Sequence, residues 1–259
     1  MRDEWPSVRG RARKRLAAAV KASFGAAGFQ LSRVPGSDSV LATMAQRRLK
    51  FLRDDNVSLV LDVGASRGQF GARLRDRGYE GRIVSFEPLA GPFVDLERRI
   101  QGDGLWTARR LALGESDCDS TINVSANTWS SSLLPIASRH VEAAPDSAYV
   151  AQQAITIARL DSTASDILGP TDSIYLKADV QGYERDVLSG ARETLNQVVL
   201  VELELSLCTL YEGQAPYYEL MQVLDGLGYD PVALDNEFVE PGTGRVLQIN
   251  AMFERRHIS

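Results

Sequence analysis

A chain of 259 residues, 44% hydrophobic and 24% charged, has the length and apolar fraction of one α/β domain with additions, and a domain of that size buries most of its apolar surface. Its net charge of −5 is unevenly laid: residues 1–33 hold eight Lys/Arg against Asp3 and Glu4, a surplus of +6, which leaves the remainder at −11. An acidic body argues against nucleic acid as the main substrate, because phosphate binding depends on clustered cations, and no run approaches the roughly 20 apolar residues of a membrane span.

The basic start reads as an amphipathic helix over residues 8–29, placed to cap the domain or to touch an anionic membrane surface at its periphery. Its apolar stretch meets Lys21 after five residues, too soon for a signal peptide. Cys118 and Cys208 lie far apart in unlike contexts, so no disulfide framework is expected and a reducing cytoplasm is the expected compartment. Pro35-Gly36-Ser37 marks a linker, and Leu41, Met44, Ala45, Leu49 and Leu52 predict a second helix over 40–53. Residues 1–55 are thus expected to form a helical extension, and 56–259 the main domain.

That domain opens with the apolar run 58–63, which closes on Asp62, turns through Gly64-Ala65-Ser66-Arg67-Gly68 and gives way to a helix starting at Gln69. Strand, tight turn and helix start make the first unit of a nucleotide-type site: glycines admit a ligand that a Cβ would repel, and the helix N-terminus offers unpaired N–H groups. The middle glycine of the dinucleotide fingerprint is missing, so neither a pyrophosphate nor a nicotinamide cofactor is expected. The next strand, 82–86, runs into Glu87 and Pro88, about 20 residues past the turn, where such sheets place the carboxylate that accepts ribose hydroxyls. An adenosyl nucleoside without phosphates follows as the ligand.

Further along, a helix is expected at 90–100 and a strand at 106–113, whose Ala112 and Leu113 would lie near the adenine. From about 117 to 160 the rhythm changes to period two, at 120–124 and 154–158, around a long loop at 128–147; this reads as a β insertion carrying a lid. The parallel pattern resumes with strand 173–178, helix 184–195, strand 198–203 and helix 217–227. Two last strands, 230–234 and 246–253, join through Pro241-Gly242-Thr243-Gly244 as an antiparallel hairpin at the sheet edge. Strands alternating with helices imply an α/β class with a mostly parallel sheet of seven strands covered on both faces.

Taken in order, Asp62-Val63-Gly64-Ala65-Ser66-Arg67-Gly68, Phe86-Glu87-Pro88, Ala112-Leu113-Gly114, Ser131-Ser132-Leu133, Leu160-Asp161-Ser162, Leu176-Lys177-Ala178-Asp179-Val180-Gln181-Gly182-Tyr183-Glu184 and Leu210-Tyr211-Glu212-Gly213 resemble the FkbM family of S-adenosylmethionine-dependent methyltransferases. The resemblance covers about residues 40–254. It departs at Ala178, where relatives commonly carry Ile, and at Ser66, where many carry Asn. It implies a Rossmann-like class I methyltransferase fold, S-adenosyl-L-methionine as cofactor, and O-methylation of a hydroxyl on a sugar, glycolipid or polyketide-like small molecule. Pairing into a homodimer through the N-terminal extension is an expectation of the same kind. A non-catalytic S-adenosylmethionine-binding protein of this fold is the alternative.

On that reading the cofactor cradle comprises Asp62, Gly64, Ala65, Ser66, Gly68 and Gln69 from the first turn, Glu87 and Pro88 from the second, and Ala112 and Leu113 at the adenine edge. Methyl transfer also needs the acceptor hydroxyl to lose its proton. Asp179 ends the fourth parallel strand, with Lys177 two residues earlier on the same side. Asp179 would serve as a metal-free base, as a ligand with Glu202 for Mg2+ or another divalent cation, or as the cap of the next helix. His140, in the lid, is a further candidate base with a pKa near neutrality. His257, near the end, is expected to be incidental. Trp129, Tyr183 and Tyr211 would offer a platform for the acceptor.

Overall fold

The computed structural model describes residues 43–256. The basic helix, the linker, His257, and the membrane and dimer expectations tied to the N-terminus lie outside the described residues. Thr43 starts the first described helix, α1 (Met44–Asp54), through a capping box with Gln46. The first half of the main domain then runs β1 (Leu59–Val63), α2 (Gln69–Asp76), β2 (Arg82–Phe86), α3 (Ala90–Ile100) and β3 (Trp106–Arg109). A short β4 (Ala112–Leu113), β5 (Cys118–Ser125), α4 (Ser138–Ala143), β6 (Tyr149–Ala158) and α5 (Leu160–Thr163) form the insertion. The second half is β7 (Ile174–Ala178), α6 (Glu184–Ser189), β8 (Val198–Ser206), α7 (Tyr217–Gly226), β9 (Tyr229–Val239) and β10 (Val246–Arg255).

Seven strands make one sheet in the order β3-β2-β1-β7-β8-β10-β9, parallel as far as β8, with β10 antiparallel to both β8 and β9. The expected edge hairpin is there, and its second strand, not its first, docks on the parallel set. Every residue of β1 and β7 is buried, as strands covered on both faces must be. Leu59, Leu61 and Val63 share one core with Leu176, Leu203 and Leu224, while Val60 joins Leu52, Phe70 and Leu96 in the other. Leu59 and Leu61 keep no exposed surface, a contribution of roughly 1.5–3 kcal/mol each.

Two expected elements are divided. The stretch 106–113 serves two sheets: β3 pairs with β2, whereas β4 pairs with Ile157 and Ala158 of β6 in a separate sheet ordered β4-β6-β5. The helix expected at 184–195 stops at Ser189. A Cβ on Gly190 would lie 1.9 Å from the Gly114 carbonyl oxygen, so the chain turns where the insertion crosses it. Asp161 then accepts the N–H groups of Glu193 and Thr194 at 3.2 and 2.9 Å, opening a single 3-10 turn at Thr194–Gln197.

Candidate active site

From β1 the chain steps outward through β2 and β3, and it comes back to the other side of β1 as β7. Open α/β sheets leave a crevice at the carboxyl ends of their strands where the winding reverses in this way. A cleft of about 540 Å³ opens there, within the roughly 300–1,000 Å³ typical of small-molecule sites. Gly64, Ala65, Ser66 and Gln69 line it from the first turn, Glu87 and Pro88 from the second, and Ala112 and Leu113 from β4.

Glu87 is the best-defined member of this cradle. It is buried, one carboxylate oxygen accepting the N–H of Ser66 and the other that of Leu89, both at 2.8 Å. Burial pushes its carboxyl up to about 7, against the pull of the Leu89 and Ser66 N–H groups. Asp62 lies beneath the turn, outside the cleft lining, with no exposed surface. Its Oδ2 accepts from the Ser85 hydroxyl at 3.2 Å, Ser85 in turn accepting from the Trp106 indole at 3.0 Å, while Oδ1 has no partner. Burial raises its carboxyl, with Lys177 and Ser85 opposing. Gly68 also does not face the cleft: a Cβ there would meet Leu96 at 2.7 Å, so this glycine serves the packing of the first turn against α3 and not ligand access.

Polar atoms left without partners gather around the cleft. Ser66 Oγ, Thr128 Oγ1 and His140 Nδ1 are buried without a hydrogen bond, and all three residues line it. Each such atom costs about 1–3 kcal/mol, which a polar ligand bearing hydroxyl and amino groups would offset. Strain gathers there too. Of the non-glycine residues with left-handed backbone among those described, Ser66 (φ 49°), Thr128 (φ 63°) and Gln181 (φ 55°) line the cleft, the clustering expected of a functional site. Asn tolerates this conformation better than Ser. Ser66→Asn is therefore expected to stabilise the ligand-free protein by about 0.5 kcal/mol, a rise of roughly 1–2 °C in thermal unfolding.

At the far wall, Lys177 donates to Asp179 Oδ2 at 3.0 Å and lies 5.1 Å from the centre of the Phe70 ring. Burial works against the Lys177 ammonium, but the charges of Asp179, Asp62 and Glu202 hold its pKa above the ordinary value. Asp179 keeps about a third of its side chain exposed in the cleft. No side chain caps α6, so Asp179 does not have the helix-capping role; Glu184, the first residue of α6, ties down the preceding turn, its Oε1 accepting the N–H groups of Val180 and Gly182 at 3.1 and 3.2 Å.

The pairing of Asp179 with Glu202 around a divalent cation does not fit. Arg48 holds both Glu202 oxygens, at 2.6 and 2.8 Å, and the Tyr175 hydroxyl donates to the same carboxylate. Among the described residues no group of three or more His, Cys, Asp or Glu is arranged to hold a metal. His140 differs from expectation as well. It is buried on α4 between Tyr211 and Phe238, ring centroids 5.1 and 5.6 Å away, and burial lowers its imidazole to about 4. At neutral pH it is an uncharged hydrogen-bonding group, not a base poised near 7.

Tyr211 lies behind the wall, fully buried, while Trp129 (63% exposed) and Tyr183 border the cleft. Glu204 lies two residues beyond Glu202 on β8. It is buried, accepts from Gln181 and Gln248 at 2.6 Å each, and is pushed well up by burial and by the charges of Asp179 and Glu184. Glu237, Phe238 and Asn250 reach the cleft from the hairpin; nothing in a two-strand pattern at a sheet edge signals that.

The family model described as the methyltransferase FkbM domain matches residues 62–231. Over 67 residues the chain is 40% identical to 2-O-methyltransferase NoeI of Sinorhizobium fredii (strain NBRC 101917 / NGR234), a match covering 26% of this chain and 27% of that protein. The alignment thus spans about a quarter of the curated relative's length. Similar solved structures include an rRNA methylase from Streptococcus thermophilus, at 10% identity and TM-score 0.45, covering 85% of this chain and 100% of the other. Another is precorrin-6y C5,15-methyltransferase from Geobacter metallireducens GS-15, at 10% identity and TM-score 0.43, covering 86% and 93%.

Proposed function

Because this chain belongs to the FkbM methyltransferase family, we propose that it moves a methyl group from S-adenosylmethionine to a hydroxyl oxygen of a sugar or a similarly hydroxylated small molecule. What carries this reading is the placement of the buried Glu87 and the partly exposed Asp179 on one cleft at the winding reversal of the sheet. When bound, the sulfonium supplies an electrophilic methyl group to the acceptor oxygen.

The first turn and Glu87 hold the nucleoside. Backbone N–H groups fix one side of each Glu87 oxygen, leaving lone pairs for two ribose hydroxyls. Ala112 and Leu113 border the adenine. Asp179 orients the acceptor hydroxyl and takes its proton as the oxygen–carbon bond forms; the buried Lys177 ammonium, 3.0 Å away, keeps the carboxylate in place. For the acceptor, support comes from the word 2-O-methyltransferase in the relative's name. A further support is that the hydrogen-bonded pair Glu237 and Asn250, 2.6 Å apart, lines the same cleft as the exposed Trp129, a combination suited to a hydroxylated ring with one apolar face.

Titration calorimetry tests the donor. Micromolar binding of S-adenosylmethionine and S-adenosylhomocysteine is expected, with Glu87→Gln weakening both by about 10- to 100-fold; binding of NAD alone would overturn the reading. The sign of the pH dependence follows from Glu87. Its folded pKa of about 7 exceeds the unfolded value, so its contribution to folding is complete below about 4.5 and is lost as pH rises through 7. Cofactor binding runs the other way, since ribose hydroxyls want the ionised acid. Affinity should fall by up to about tenfold per pH unit below 7 in the native protein, and lose that dependence in Glu87→Gln. Screening sugars and glycolipids with methyl-labelled cofactor tests the acceptor.

A further inference from the structure

We infer that Gln181 is a positioning residue, whose side-chain amide fixes the Asp179 carboxylate and ties the insertion loop to it. This role presupposes the function proposed above for Asp179. Gln181 joins its own turn to three other segments. Its Nε2 donates to Asp179 Oδ1 at 3.0 Å and to Glu204 Oε2, on β8, at 2.6 Å. Its Oε1 accepts from the Tyr211 hydroxyl at 2.6 Å, and its backbone carbonyl accepts from Ser132 Oγ, in the insertion loop, at 2.7 Å.

The orientation of the amide is forced. Turned over, its oxygen would face the Asp179 carboxylate oxygen, an acceptor against an acceptor. Asp179 is thereby held from both sides, by the Lys177 ammonium on Oδ2 and by a neutral amide on Oδ1. The backbone points the same way. At φ 55° a glycine would sit without strain, so the fold alone does not ask for a glutamine here; strain of this kind persists where the surroundings hold the residue for another purpose. The titratable groups facing Asp179 include Lys177, Asp62, Glu87, Glu204, Glu184, Glu237 and the Tyr211 hydroxyl. The amide nitrogen donates to both Asp179 and Glu204 and so bridges the two carboxyl groups.

The test follows the side-chain carboxyl resonance of Asp179 by carbon NMR against pH, assigned by its disappearance in Asp179→Asn, in the native protein, Gln181→Gly and Gln181→Glu, with thermal unfolding alongside. Gln181→Gly is expected to unfold within about 3 °C of the native protein, strain relief offsetting lost hydrogen bonds. In that variant the Asp179 midpoint should rise, because a donor to the charged form is gone. Gln181→Glu should raise it by about one unit or more, since a like charge then lies against it. An Asp179 midpoint unmoved in both variants overturns the inference, as does a midpoint shift accompanied by unfolding more than about 10 °C lower in Gln181→Gly, which would assign the residue to the fold. In methyl transfer to an acceptor selected by the labelled-cofactor screen, kcat should fall in Gln181→Gly with KM for S-adenosylmethionine unchanged. Full turnover of Asp179→Asn alongside shifted midpoints in the Gln181 variants would sink the assignment of Asp179 as base and leave the positioning contact standing.

Discussion

Asp179→Asn is expected to lower turnover by about 10²- to 10⁴-fold, the usual worth of a positioned proton acceptor, while S-adenosylmethionine binds within a few-fold of native. The two effects separate because the residue touches different partners from the cradle. Its side chain meets Lys177 and Gln181, whereas Glu87 and the first turn are braced by Ser66, Leu89 and Phe86. Asn keeps the shape and offers one acceptor in place of a carboxylate, so one of the Lys177 and Gln181 donors must turn elsewhere. Lys177 retains Asp62 and Glu202 as neighbouring charges, and the buried ammonium is not stranded. A loss in kcat with KM for the cofactor unchanged identifies an interaction made in the transition state. Turnover comparable to native would remove Asp179 from the chemistry.

Legibility in the sequence tracks how local the physics is. The strand-turn-helix at 58–77 could be read because an apolar run, an acid and two glycines lie within a dozen residues and each acts on its neighbours. Its boundaries differ from the structure by a residue. Glu87 was legible for the same reason, as an acid closing the adjacent strand. What the two glycines do was not legible. Both have positive φ, but the groups they make room for, Asp179 and Leu96, are over 25 residues away in the chain.

The division of 106–113 and the early stop of α6 have a like origin. Both occur where the insertion crosses the main sheet, and the deciding contact joins Gly114 to Gly190. No periodicity within either segment carries it. His140 was read as a loop histidine because its segment is rich in Ser and Pro. Its burial comes from Tyr211 and Phe238, contributed by two segments far down the chain. Glu202 and Glu204 show the limit most plainly. Two residues apart on one strand and facing the same way, they have different partners, Arg48 for one and the Gln181 and Gln248 amides for the other. Alternation places both on a face; only the tertiary neighbours assign them work.

Gly64→Ala is expected to destabilise the protein by about 3–5 kcal/mol, among the larger losses a single substitution causes, and so to lower thermal unfolding by roughly 6–20 °C. Two costs combine. At φ 79° any Cβ is strained, and the one added here would lie 1.9 Å from the Asp179 carbonyl oxygen and 2.9 Å from its carbonyl carbon. That obstacle is backbone at the end of β7, tied by the Asp179 N–H to the Val63 carbonyl at 3.1 Å, and it cannot swing aside as a side chain can. Gly68→Ala should cost less. Its φ is similar at 76°, but the crowding atoms belong to the side chains of Leu96, Arg99 and Trp106, not to backbone, and only Leu96 Cδ1 lies closer than 3.0 Å. Gly78→Ala isolates the backbone cost alone, with φ 86° and nothing within 4 Å, and should lose only about 1 kcal/mol. If Gly64→Ala unfolds no lower than Gly78→Ala, the close approach of the first turn to Asp179 does not constrain the fold. If it unfolds as expected, a substitution in the first turn, proposed to hold the cofactor, also displaces the proposed base, and cofactor affinity and turnover should fall together in whatever fraction stays folded.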